Sequence, residues 1–131
     1  MFEDAFGVTD HIEAVIKAAQ QIHAELGFGF ESAIYRKALH KLLKEAELPI
    51  QVRKEYPVMF QGKEVGKYTA GMVLRNLVLI QVVTFPFLKP TDILPAQNRI
   101  NATGIQIALV LNFGLTKLEV RRLRVVYPPS S

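Results

Sequence analysis

The sequence predicts an α/β domain of the layered α+β kind, a mixed β-sheet flanked by helices in the order α-α-β-β-β-α-β-β. Three observations predict it. Two stretches near the start repeat apolar residues at helical spacing. Two later runs, residues 77–85 (LVLIQVVTF) and 107–113 (IALVLNF), are nearly all apolar, as in strands buried on both faces. The polar pair Arg75-Asn76 separates the first of these runs from another strand, as a hairpin turn does.

Residues 10–26 predict the first helix. Asp10 and Glu13 have capping-box spacing, and Ile12, Val15, Ile16, Ala19, Ile22 and Leu26 form the apolar stripe. Gly27 is a natural stop, and Gly27-Phe28-Gly29 makes a short link. The second helix runs from about Phe30 to Ala46. Its apolar stripe is built on Ile34, Tyr35, Ala38, Leu39, Leu42 and Leu43, and its other face carries Arg36, Lys37, Lys41 and Lys44.

Residues 50–60 read as a strand that Pro57 assigns to a sheet edge or a bulge. Gln61-Gly62 is a turn signal. Residues 64–74 and 77–85 form the hairpin around Arg75-Asn76. Pro86 and Pro90 make residues 86–92 a connection, and a short helix over about 93–103 stops at Gly104. The strand over 107–113 follows. Residues 118–127 alternate like an edge strand, and residues 128–131 (PPSS) read as a flexible tail on a single domain covering 1–127.

A length of 131 residues, half of them hydrophobic, suits one globular domain with its own core. No apolar run reaches the roughly 18–20 residues of a membrane span, and the acidic start MFEDAFGVTD lacks the plan of a signal peptide. A cytoplasmic protein with no membrane partner is expected. Zero cysteines exclude disulfides, thiolate metal sites and a cysteine nucleophile. The net charge of +4 is uneven: residues 1–64 hold 10 acids and 8 Lys/Arg, whereas residues 65–131 hold 2 acids and 8 Lys/Arg. A basic half can meet DNA or RNA or serve as a soluble surface, and no aromatic-rich RNA motif accompanies it.

Several short pieces occur in a recognisable order: Ile22-His23-x-x-Leu26-Gly27-x-Gly29, Tyr35-x-x-Ala38-Leu39, Val58-x-Phe60-x-Gly62, Ala102-Thr103-Gly104 and Leu109-Val110-Leu111-Asn112-Phe113-Gly114. Together they resemble the GxxExxY proteins, a branch of the PD-(D/E)XK nuclease superfamily. The resemblance covers about residues 14–126. It implies a restriction-endonuclease-like fold and Mg²⁺-dependent phosphodiester cleavage. It also implies a helix Glu, a hairpin Asp and a Glu-x-Lys at set positions.

Those positions here carry other residues. The helix Glu falls on Ser32, the hairpin Asp on Gly71, and the Glu-x-Lys on Gln81 and Val83. The family's later His and Gln fall on Asp92 and Pro95, and Gln97 replaces that Gln only after a two-residue slip. Mg²⁺ is a hard ion held by carboxylate oxygens and water. Strand alternation puts Leu79, Gln81 and Val83 on one face, where one neutral amide supplies no charge. These four positions are therefore a vestigial site, with no catalytic residue, no metal and no cofactor expected. Mg²⁺ would be expected only if the site were intact.

Other acids are sparse. From Val65 to Leu118 the only acid is Asp92. Glu64 lies roughly 20 Å along the strand from Gly71, and Glu31 points about 100° away from Ser32 around its helix. His11, His23 and His40 lack partners at metal-ligand spacing. His23 reads as a hydrogen-bonded structural residue or as a neighbour of the former site. Ser32 has no base to make it a nucleophile.

Candidates for nucleic-acid contact are Arg36, Lys37 and Lys41 on the helix, and Arg122 and Arg124 on one face of the last strand. Such a ladder also discourages edge pairing. Phe85, Phe87 and Leu88 look exposed at the rim, as a partner or homodimer interface or as a cap on the core. Three functions follow. The first is an inactive nuclease-like domain kept as an interaction or nucleic-acid-binding module. The second is a metal-dependent nuclease with a relocated acidic site at Asp92, Glu31 or Glu64. The third is a structural homodimerisation domain.

Overall fold

The computed structural model of the chain describes residues 8–105 and 107–124, apart from the side chains at 96, 97 and 99–102. The expected tail at 128–131 and the side chain of Gln97 lie outside the described residues. The elements run α1 (Val8–Leu26), α2 (Ser32–Glu45), β1 (Ile50–Phe60), β2 (Lys63–Leu74), β3 (Val78–Val83), α3 (Pro90–Thr103), β4 (Ile107–Asn112) and β5 (Glu119–Arg124). The element order is the expected one. The five strands form one sheet in the order β1-β2-β3-β4-β5. β3 and β4 are parallel and the other pairs are antiparallel. The fold is therefore a mixed α+β sheet flanked by helices. Among the described residues no helix is long and apolar enough to cross a membrane.

Amphipathic periodicity decides the layers. Ile12, Val15, Ala19 and Ile22 of α1 and Tyr35, Leu39 and Leu43 of α2 are buried against Met72, Leu74, Val78, Ile80, Val82, Leu109 and Leu111. The opposite face of the sheet buries Ala70, Val73, Leu79 and Ala108 together with Ile105. β4 is buried at every position, because it lies inside the sheet and both its faces are covered.

Several boundaries differ from the sequence reading. α1 starts at Val8, so Asp10 lies in the first turn instead of capping it. Burial of Val8 extends the helix past the capping-box signal. α2 starts at Ser32, with Glu31 as N-cap in extended conformation, two residues after the expected Phe30. α3 starts at Pro90 instead of 93. Proline at the first helical position lacks only an N–H that has no helical partner there, and Asp92 Oδ2 accepts from the Lys89 N–H at 2.9 Å, fixing the start. The strand expected over 77–85 keeps only Val78–Val83. Leu77 belongs to the turn, donating to the Leu74 carbonyl at 2.9 Å, and beyond Val83 the Phe85 N–H goes to the side chain of Asn112.

Pro57 was expected at an edge or a bulge, and both occur. β1 is an edge strand, and the β1–β2 register shifts by one between Val58 and Met59. Arg75 and Asn76, the hairpin turn, both adopt positive φ (55° and 58°).

Candidate functional site

Strand pairing positions the hairpin side chains. β2 and β3 pair only at Met72↔Ile80, Val73↔Leu79 and Leu74↔Val78, so Gly71 and Gln81 are the next residues beyond the open end of that ladder. Leu79, Gln81 and Val83 share one face, as alternation requires. Leu79 joins the cluster of Ala70, Val73 and Ala108. The Gln81 amide donates to the Tyr68 hydroxyl at 3.2 Å, and Val83 packs against Leu88 and Val110. Gly71 faces the other way. A Cβ on Gly71 would lie 3.5 Å from Cδ of Arg36 on α2.

The four positions therefore do not converge. Ser32 and Gly71 belong to the α2 side of the sheet, whereas Gln81 and Val83 belong to the opposite side. The neighbours of Gln81 on its own face are Tyr68 and Ala70, so reading the hairpin one residue out of register still supplies no carboxylate. Beside them the Tyr56 hydroxyl is buried without a hydrogen-bond partner. Burial pushes its pKa above the ordinary phenolic value, and the adjacent Tyr68 adds to the shift.

The Mg²⁺ that the resemblance implies does not fit these donors. One amide committed to a tyrosine, one aliphatic side chain and a glycine cannot balance a divalent hard cation. Among the described residues no three His, Asp or Glu side chains gather to hold a metal. Asp92 is occupied at the start of α3. Glu31 precedes α2, and Glu64 pairs with Met59 near the tip of the β1–β2 hairpin. The acids of a relocated site are thus spread over three separate elements. Melting in millimolar Mn²⁺ is expected to match melting in chelator. A site with Kd 100-fold below the metal concentration would add about 2.7 kcal/mol, so a Mn²⁺-dependent rise of several degrees in a thermal scan would contradict this donor set.

His23 Nε2–H donates to the Leu115 carbonyl at 2.7 Å, and its ring lies 6.0 Å from that of Phe113. Leu88 corrects the expected exposed rim, because it is buried against Val110. Phe85 and Phe87 are exposed, with the Lys89 ammonium over the Phe87 ring. Leu88 is the one apolar residue of that segment that turns inward, and no periodicity in TFPFLKP marks it.

The five basic candidates separate. Lys41 pairs with Glu45 one turn on, and Arg122 pairs with Glu13 of α1. Arg122 and Arg124 do share a face, opposite Leu109 and Ile107, but both are engaged within the chain. Arg36 and Lys37 are different. They line an open groove between α2 and the β1–β2 hairpin, together with His40, Arg53, Thr69 and Gly71.

Arg53 and His40 were missed in the sequence. Counting pairs from the Gln61-Gly62 turn places Arg53 opposite Ala70, but the shift at Val58/Met59 moves it opposite Gly71. His40 follows Arg36 by four residues on the same helix face, a signal that the sequence did carry.

A family model described as the PD-(D/E)XK nuclease superfamily matches residues 9–123. No curated protein and no solved structure matches the chain.

Proposed function

Because the chain belongs to the PD-(D/E)XK nuclease superfamily, we propose that it is a catalytically inactive nuclease-like domain kept as a nucleic-acid-binding module. Its ordered motifs support reading it as a member of the GxxExxY branch, and a cytoplasmic location is part of the same proposal. One observation carries the reading: on the sheet face that holds Gln81 and Val83, β3 and β2 from Tyr68 onward bear Tyr68, Ala70 and Leu79 and no carboxylate, and Glu119 of β5, which shares that face, is bonded to Asn112 and Arg121. Without a carboxylate on those stretches of the hairpin, no acids gather among the described residues to hold a metal or to align a metal-activated water for attack on phosphorus. What remains is a scaffold that can meet phosphates through its cations.

The experiment is a titration of Mg²⁺ and Mn²⁺ against a mixed panel of DNA and RNA substrates. No metal-dependent cleavage is expected. Cleavage that follows the protein through purification and requires the metal would overturn the reading.

A second reading, homodimerisation, is favoured by the exposed Phe85 and Phe87 and by Met59, Phe60 and Val65 near the hairpin tip. A sedimentation coefficient that does not change with concentration, at the monomer value, would remove it.

A further inference from the structure

We propose that the groove between α2 and the β1–β2 hairpin is an oxyanion site that takes a phosphate group, with Arg36 and Arg53 as its principal ligands. The groove encloses about 590 Å³ and is lined by no acidic side chain. Arg36, Lys37 and His40 come from one face of α2, and Arg53 comes from β1 on the facing wall. None of these four forms an ion pair among the described residues. Lys41 and Arg122 are paired with Glu45 and Glu13 and Arg124 is engaged within the chain, so among the basic candidates it is this groove that gathers cations without an ion pair.

The backbone supports the assignment independently. Arg53 adopts φ 55°, in the left-handed region. For a residue with a Cβ this conformation is strained, and such outliers concentrate at functional positions. The ladder pairs Val52↔Met72 and Lys54↔Ala70 but skips the residue between. In a regular strand Val52 and Arg53 would point to opposite faces. Here both line the groove. The positive φ accompanies this break in alternation and brings Arg53 into the lining that Arg36 also forms.

Gly71 completes the site by what it leaves out. A Cβ there would touch the Arg36 side chain at 3.5 Å, an ordinary contact, so an aspartate at this position would set its carboxylate against the guanidinium. With glycine the same space stays open beneath two arginines. A position that in the superfamily pattern helps to bind a cation here lies in a site suited to an anion. Arginine forks match phosphate oxygens bidentately, and the first turn of α2, at Ala33, adds the positive end of the helix dipole.

The inference rests on the nucleic-acid-binding reading for its occupant, and its test separates the two. Fluorescence anisotropy is measured with single-stranded DNA, single-stranded RNA and duplex DNA across a salt series, with inorganic phosphate as competitor. Each phosphate contact to a single strand contributes about 0.7 to the salt slope. Removing one at about 0.1 M salt should therefore weaken binding about fivefold.

Arg53→Gln and Arg36→Gln should each show that loss with the same lowered slope for every sequence. Gly71→Asp should lose at least as much, whereas Gly71→Ala should stay within about twofold. Competition by millimolar phosphate identifies a free phosphate group as sufficient ligand; failure to compete identifies the polymer backbone. Either outcome supports the site. Unchanged affinity in Arg36→Gln, Arg53→Gln and Gly71→Asp overturns the groove while leaving the inactive-domain reading standing. Failure of the unsubstituted protein to bind any oligonucleotide or phosphate overturns the site as well. Metal-dependent cleavage overturns the earlier reading whichever way binding falls.

Discussion

Replacing Tyr35 by alanine is expected to cost about 3–5 kcal/mol of unfolding free energy, the range for truncating a large aromatic side chain in a packed core. Tyr35 is fully buried and stacks on Phe113, with centroids 4.5 Å apart and the rings inclined by 16°. Its hydroxyl donates to the Gly27 carbonyl at 2.7 Å and accepts from the Phe30 N–H at 3.3 Å. One side chain therefore ties the link between the first two helices to the strand end at Phe113. Tyr35→Phe keeps the ring and loses only these hydrogen bonds, so it should cost about 1 kcal/mol. Urea unfolding of both variants checks the pair. A loss below 1 kcal/mol for Tyr35→Ala would show that the site is not the close-packed joint described above.

Gly114→Ala should destabilise by about 3 kcal/mol, the upper range for forcing extra atoms into a packed region. An alanine Cβ would lie 2.2 Å from the Phe85 carbonyl oxygen and 2.7 Å from the Thr84 carbonyl carbon. Both are backbone atoms and cannot rotate away. They are held there by Asn112, fully buried, whose Oδ1 accepts from Phe85 N–H at 2.9 Å and Gly114 N–H at 3.0 Å. Moving one strand end breaks bonds to the other. Gly66, with nothing within 4 Å of its would-be Cβ, provides the contrast. Gly66→Ala should be neutral or stabilise by about 0.4–1 kcal/mol, because it only restricts the unfolded chain. If thermal or urea midpoints moved in the same direction for both substitutions, the steric account of Gly114 would fail.

The chain wrote some of this plainly. The nearly all-apolar runs ending at Val83 and Asn112 read as strands covered on both faces, and they fixed the centre of the sheet. The lack of acids from Val65 to Thr91 was equally plain, since it depends on residue identity alone. What could not be read depends on register and on distant packing. A one-residue shift at Val58/Met59 decides which residue faces Gly71, and no local pattern announces it. The break in alternation at Arg53 and Gly71 sends Gly71 and Gln81 to opposite sides of the sheet, although simple hairpin geometry would have put them together. The ion pair of Arg122 with Glu13 links residues at opposite ends of the sequence, beyond the reach of any spacing rule.

The contrast between the two antiparallel ladders on β2 has a dynamic consequence. β2 keeps ten pairs with β1 but only three with β3. Past Met72 the ribbon is stitched mainly to itself, and its outer amides can exchange with solvent water by local opening that leaves the helical core closed. Deuterium uptake should divide the molecule at Arg53 and Gly71. Slow amides belong on Leu74, Val78–Val82 and Ile107–Leu111, and fast ones toward Gln61. The boundary between the slow and fast regions passes through the groove, so whatever binds there would be gripped by one rigid wall and one that breathes.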